Sequence, residues 1–130
     1  MISLFDLRSN SEDKIADDLR ALFDEPVNVV QFADQPIASC IGCWSCWLKT
    51  PGLCVIKDSM SEHYSDYVKS SKVILLFGTA QGFIDHKAKA FLDRLIPHYH
   101  PYIEIINQEC HHVARYDRYP DMYFYIESAG

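Results

Sequence analysis

Val73-Ile74-Leu75-Leu76-Phe77 is an uninterrupted apolar run. Five apolar residues with no polar alternation fit a strand covered on both faces, as in the middle of a parallel sheet. Downstream, Gly78 to Gly82 reads as a loop and Asp85 can cap a helix. Ala88, Phe91, Leu92, Leu95 and Ile96 give that helix its core face, and Pro97 stops it. Upstream, Asp58 or Ser59 can cap another helix, with Glu62 completing a capping box from Ser59. Met60, Tyr64, Tyr67 and Val68 lie on or near one face of it.

The same alternation extends to both ends. Ile2-Ser3-Leu4-Phe5 reads as a first strand, and Ser9-Asn10-Ser11-Glu12 matches a capping box. Ile15, Leu19, Leu22 and Phe23 follow at helical spacing, Pro26 ends that helix, and the valine-rich stretch Val27 to Phe32 reads as a second strand. Met122 to Ile126 reads as the last. The order predicts one α/β domain over residues 1–130: a doubly wound parallel sheet of about four strands with helices on both faces. Ligands of such sheets sit beyond the carboxyl ends of the strands, here the loops after Phe5 and after Phe77. The cysteine-rich loop follows the second strand, near the same edge.

Composition limits the function classes. The chain has 130 residues, a formal net charge of −6, eight Tyr, seven Phe and two Trp. That aromatic content excludes a disordered chain. The acidic balance argues against nucleic acid and anionic lipid as partners. No apolar stretch approaches the length of a membrane span, and the first residues lack a signal peptide's basic segment and apolar run. The expected location is cytoplasmic, where thiols stay reduced and a tight cysteine cluster is more often a metal or redox site than a disulfide staple.

Residues 39–57 read as an irregular loop with Gly42, Pro51 and Gly52 as turn residues. The loop carries Cys40, Cys43, Cys46 and Cys54, with gaps of two, two and seven residues. Three cysteines two residues apart can turn their sulfurs toward one point, and a turn at Pro51-Gly52 can deliver the fourth. Four thiolates meet the needs of an iron–sulfur cubane. Structural zinc also takes four cysteines, but usually as two separated pairs. The alternatives are small apolar core side chains, or disulfides between Cys40 and Cys43 or between Cys46 and Cys54. Trp44 and Trp47 flank Cys46, either shielding a cluster from water or packing as core, the latter being expected for at least one.

Other candidates carry less. His98, His100, His111 and His112 invite a metal or acid–base reading, but no nearby carboxylate pair completes a site. Asp93-Arg94 reads as a helix-surface ion pair or a cap to a neighbouring loop. Tyr116, Tyr119, Tyr123 and Tyr125 read as packing or interface residues. Neither a nucleophile–base motif nor a P-loop is present.

Two runs in the cysteine segment, Cys40-Ile41-Gly42-Cys43-Trp44-Ser45-Cys46-Trp47 and Thr50-Pro51-Gly52-Leu53-Cys54-Val55-Ile56-Lys57-Asp58-Ser59-Met60, resemble the flavodoxin-like NADPH-dependent FMN reductases, especially the branch called iron–sulfur flavoproteins. Lys89-Ala90-Phe91-Leu92-Asp93-Arg94-Leu95-Ile96-Pro97 is similar to that family's helix after the third strand. The segment from His98 to Pro120 is similar to one in some members, so the resemblance covers roughly residues 27 to 120. It implies a flavodoxin-like fold, NAD(P)H-dependent reductase activity or electron transfer with a redox carrier protein, and a homodimer or tetramer. It implies FMN lined by Arg8, Ser9, Asn10, Ser11, Thr79, Ala80, Gln81, Gly82 and Phe83, and a 4Fe-4S cluster on Cys40, Cys43, Cys46 and Cys54.

The chain departs from the family in three ways. The stretch from Asp6 to Asp13 replaces a Gly-Ser-Pro-Arg type phosphate loop with one that lacks glycine and carries Glu12 and Asp13. Ala80 stands where the family often has proline. Four strands are legible where a flavodoxin sheet has five, so the domain reads as short or truncated. Two functions follow: a flavin- and cluster-bearing redox protein, or a degenerate flavodoxin-like domain without FMN that acts as an interaction or assembly module.

Overall fold

A computed structural model describes residues 1–10 and 13–127. The elements in chain order are β1 (Ile2–Asp6), α1 (Ile15–Arg20), β2 (Val27–Gln31), α2 (Ser45–Leu48), a 3-10 turn (Ser59–His63) running into α3 (Tyr64–Lys69), β3 (Lys72–Ala80), β4 (Phe83–Ile84), α4 (His86–Asp93), a second 3-10 turn (Ile96–His98), β5 (Tyr99–Ile106), β6 (Glu109–Ala114) and β7 (Asp121–Glu127). The main sheet runs β2-β1-β3-β7, all parallel, with short β4 antiparallel to the end of β3. This is the start of the flavodoxin strand order. Strands β5 and β6 form a separate antiparallel hairpin.

The apolar run behaves as its sequence predicts. Val73 to Phe77 are all buried, and alternate residues face opposite sides. Ile74 and Leu76 join Ile2, Leu4, Val27 and Ala16 under α1. Val73, Leu75 and Phe77 join Phe5, Phe32, Met60, Tyr64, Tyr67, Ala88 and Phe91 on the other side, under α3 and α4. Phe5, Phe32 and Phe91 meet at tilted and edge-on angles, with Phe5 and Phe91 centroids 5.1 Å apart. Burying such a ring stabilises the fold by about 2–3 kcal/mol. Among the described residues no helix is long and apolar enough to cross a membrane.

Local details correct several sequence expectations. Ser9 does not cap α1: the helix starts at Ile15, after Lys14, and Asp13 Oδ1 accepts from Ile15 N instead. Ser11 and Glu12 lie outside the described residues. Leu22 projects into solvent because α1 has ended at Arg20. Of the two caps offered for the next helix, Asp58 is used. Its box partner is Ser61, whose Oγ accepts from Asp58 N, rather than Glu62 paired with Ser59. Asp85 caps α4 by accepting from Ala88 N at 2.9 Å. The stretch from Gly78 to Gly82 is mostly strand: β3 runs on to Ala80, and only Gln81 and Gly82 turn, at φ 54° and 79°. Two left-handed residues suit a two-residue hairpin turn. The hairpin from Tyr99 to Ala114 falls where the sequence offered no element.

Candidate metal centre in the cysteine loop

The loop between β2 and the 3-10 turn is closed at its neck by one ion pair. Asp58 Oδ2 accepts from Ala38 N at 2.9 Å, and Arg94 Nη1 donates to the same carboxylate and to Ala38 O at 3.3 Å. Arg94 Nη2 reaches Ile56 O at 3.5 Å. Residues 38 and 56, which bracket the four cysteines, are thereby tied to the end of α4. The sequence offered Asp93-Arg94 as a helix-surface ion pair or a cap to a neighbouring loop; Arg94 meets the second reading, fully buried and bonded to the cysteine loop. Asp93 does lie on the surface, paired with Lys89 at 2.6 Å. Burial works to lower the Arg94 pKa, but the Asp58 hydrogen bond, with Tyr64 and the charges of Asp58 and Cys54, outweighs it and keeps the guanidinium charged.

Within the loop the backbone bends sharply near the cysteines. Gly42, Trp44 and Gly52 take positive φ, of 68°, 59° and 88°. Gly42 and Gly52 adopt this at little cost. Trp44 does not: a bulky residue held left-handed stores about 1–3 kcal/mol and marks a functional site more often than chance. The bend at Trp44 starts α2, which presents Cys46. Gly52 N then donates to Cys46 O at 3.2 Å and brings the chain back toward Cys54.

All four cysteines line one pocket of about 50 Å³, walled also by Trp44, Val55, Arg94 and Pro97. Small organic ligands occupy sites of roughly 300–1,000 Å³, so this pocket suits an ion or a compact inorganic cluster. The thiols are free, and neither disulfide alternative is formed. Burial pushes the Cys46 thiol up, and the charges of Cys54, Cys40 and Cys43 push it the same way, a sign that the four share one field. Two sulfurs already have donors. Ile56 N donates to Cys54 Sγ at 3.4 Å. The Ser45 side chain, then its backbone, lower the exposed Cys43 thiol. The sulfurs share a wall without converging: among the described residues no three His, Cys, Asp or Glu side chains form a group that could hold a metal ion. Ligation requires the loop to draw in. The donor set fits a thiolate-bound group, with four sulfurs, amide and hydroxyl donors and a nearby cation.

Trp44 and Trp47 belong to neither core cluster. They stack at 4.7 Å and 14° beside the pocket. Trp47 Nε1 donates to Tyr99 O, and the Trp47 ring tilts over His112 at 5.4 Å, binding the loop to the β5–β6 hairpin. The hairpin therefore supports the cysteine loop, a role the sequence did not signal. The histidines do not gather: His98 is buried, His111 faces Glu109 at 3.0 Å, and His112 faces Trp47. Tyr119 stacks on Tyr99, while Tyr123 and Tyr125 stand half-exposed on β7.

Among the described residues, Arg8, Ser9 and Asn10, expected to line FMN, stand in acidic surroundings. Arg8 is buried and spent: its Nε and Nη2 donate to both Asp6 carboxylate oxygens at 2.9 Å, and its Nη1 donates to Asp13 at 2.7 Å. The Asp6 hydrogen bond leads in holding it charged. Around Arg8, Ser9 and Asn10 the cavity is lined by Asp13, Asp85 and Glu127. A phosphate dianion there would face three carboxylates, so the described residues do not fit FMN. Thr79 and Ala80 are strand, Gln81 and Gly82 are the turn, and Phe83 projects into solvent. Ser11 lies outside the described residues. No family model matches the chain, and neither a curated protein nor a solved structure does.

Proposed function

We propose that the chain is a one-electron redox domain whose working part is the cysteine loop, with Cys40, Cys43, Cys46 and Cys54 ligating an iron–sulfur cluster. The observation that carries this is the shared pocket of all four sulfurs. Such a cluster, when bound, supplies single-electron transfer at a potential set by its charge, its hydrogen bonds and its exposure. The protein's own residues do the rest. Ile56 N and Ser45 satisfy the sulfurs of Cys54 and Cys43. Asp58 and Arg94 fix the neck, so that the ordering needed for ligation is confined to the loop between residues 38 and 56. Trp44 and Trp47 keep bulk water from one side. The electron enters from a reduced carrier protein and leaves to an oxidised one. Hydride transfer through flavin has no part in this reading, because the cavity at Arg8 is acidic.

The test is the spectrum of protein purified without oxygen. A broad visible band that bleaches with dithionite is expected, and Cys43→Ala should remove both the band and the iron. Iron unchanged in Cys43→Ala would refute the ligand assignment. A second reading, an interaction module without cofactor, draws on the half-exposed Tyr123, Phe124, Tyr125 and Ile126 of β7. A colourless, iron-free protein would favour it.

A further inference from the structure

The cysteine pocket has one cationic side chain in its wall, Arg94, against one anionic one, Asp93. Asp93 is engaged outward with Lys89. Arg94 is 1% exposed, and its two Nη atoms are committed to Asp58, Ala38 O and Ile56 O. Among the described residues its Nε–H has no acceptor. A buried donor without a partner is costly and rare enough to call for an explanation. Asp58 provides a single carboxylate for the guanidinium and shares it with Ala38 N. Cys54 and Arg94 line the same pocket.

We propose that Arg94 is the counter-cation of the cysteine pocket, its charge and its unspent Nε–H serving the anionic sulfur that collects beside Cys54. The inference rests on the reading that these cysteines act as thiolates. Four thiolates gather negative charge in a half-buried site, and one fixed guanidinium partly neutralises it. A planar, permanently charged group suits this task better than a lysine, whose ammonium deprotonates more readily when buried. The same residue then does two jobs: its Nη side holds the neck of the loop, and its charge serves the pocket that it lines with the four cysteines.

Metal-free, reduced protein is treated in parallel with anionic iodoacetate and neutral iodoacetamide, and modification of Cys54 is followed by peptide mass spectrometry. The iodoacetate-to-iodoacetamide ratio should fall several-fold in Arg94→Gln, survive in Arg94→Lys, and decline with added salt in the wild type. Asp58→Asn breaks the neck but keeps the cation, so its ratio should match or exceed the wild type. A several-fold fall in Asp58→Asn would mean that Arg94 is only structural and would overturn the proposal; this outcome is read against the wild type and so stands even if Arg94→Gln fails to fold. In protein loaded with iron and sulfide, Arg94→Gln should lower the midpoint potential and Arg94→Lys should leave it nearly unchanged. A wild type that takes up no iron would refute the cluster reading, while the alkylation ratio would still decide the role of Arg94.

Discussion

Cys54 accepts an N–H from Ile56 at 3.4 Å, is partly buried, and shares its pocket with the Arg94 guanidinium. His98 shows the opposite case, a titratable group enclosed without partners. It is 1% exposed, stacked on Tyr67 at 4.9 Å and met edge-on by Tyr64 and Tyr116. Among the described residues neither ring nitrogen has a hydrogen-bond partner. Burial, and secondarily the charge of Arg115, lower its pKa from 6.5 to about 4. The folded value lies below the unfolded one, so the unfolded chain binds the extra proton between these pH values. Stability from this group is therefore complete above pH 6.5 and is lost as pH falls toward 4. At about 1.4 kcal/mol per pH unit the loss is at most about 3 kcal/mol. Urea unfolding at pH 7 and pH 5 should show the fall, and His98→Phe should flatten it. An equal slope in both proteins would contradict the assignment. Asp58 adds a drop at lower pH. Burial works to raise its carboxyl, but the Arg94 and Ala38 hydrogen bonds outweigh it and hold it below the usual range, so its contribution is complete above the ordinary value of 3.8 and is lost progressively as the pH falls below that. At this scale the sequence carried the spacing of the cysteines, which is local, and left Arg94 between a surface ion pair and a cap to a neighbouring loop, of which the structure shows the second. The burial of Arg94 and His98 was not legible, because it depends on which distant segments fold over them.

The elements follow local rules where their residues carry strong signals. The run from Val73 to Phe77, the valines of β2 and the Asp85 cap were all legible, because periodicity and capping act within a few residues. Replacing Asp85 by Ala leaves Ala88 N without its acceptor and should cost about 1 kcal/mol, measured by chemical denaturation. A change under a few tenths of a kcal/mol would mean that the α4 start is held by other contacts. The β5–β6 hairpin was not legible. Its turn is Asn107-Gln108, left-handed at φ 49° and 68° without the glycine that usually announces such a turn. Pro101 also interrupts β5, close to a register shift between Tyr99 and Ile103. The capping box at Ser9 illustrates the reverse error: a short pattern matched by residues that lie ahead of the helix start.

Across the whole molecule the strand order β2-β1-β3-β7 and the helices on both faces match the α/β reading. The sequence carried that much because strands and helices alternate in it. The switch point of the sheet, where flavodoxin-like folds bind ligands, is here an acidic cavity around a saturated arginine. The four cysteines sit instead on the loop after β2, braced by the hairpin. A group bound there links β2, α4 and the hairpin in the folded chain only, so binding should stabilise the whole domain by mass action. Protein loaded with iron and sulfide should melt several degrees above the metal-free form, and a chelator should reverse the gain. Equal melting temperatures would mean that metal binds without engaging the fold.

The most direct test of the cysteine-loop assignment is iron and acid-labile sulfide per chain in protein purified without oxygen. Ligation by Cys40, Cys43, Cys46 and Cys54 predicts about four of each per chain, as a cubane requires, falling to near zero in Cys43→Ala. Iron and sulfide absent from the wild type after anaerobic purification and reconstitution, with the fold intact, would contradict it.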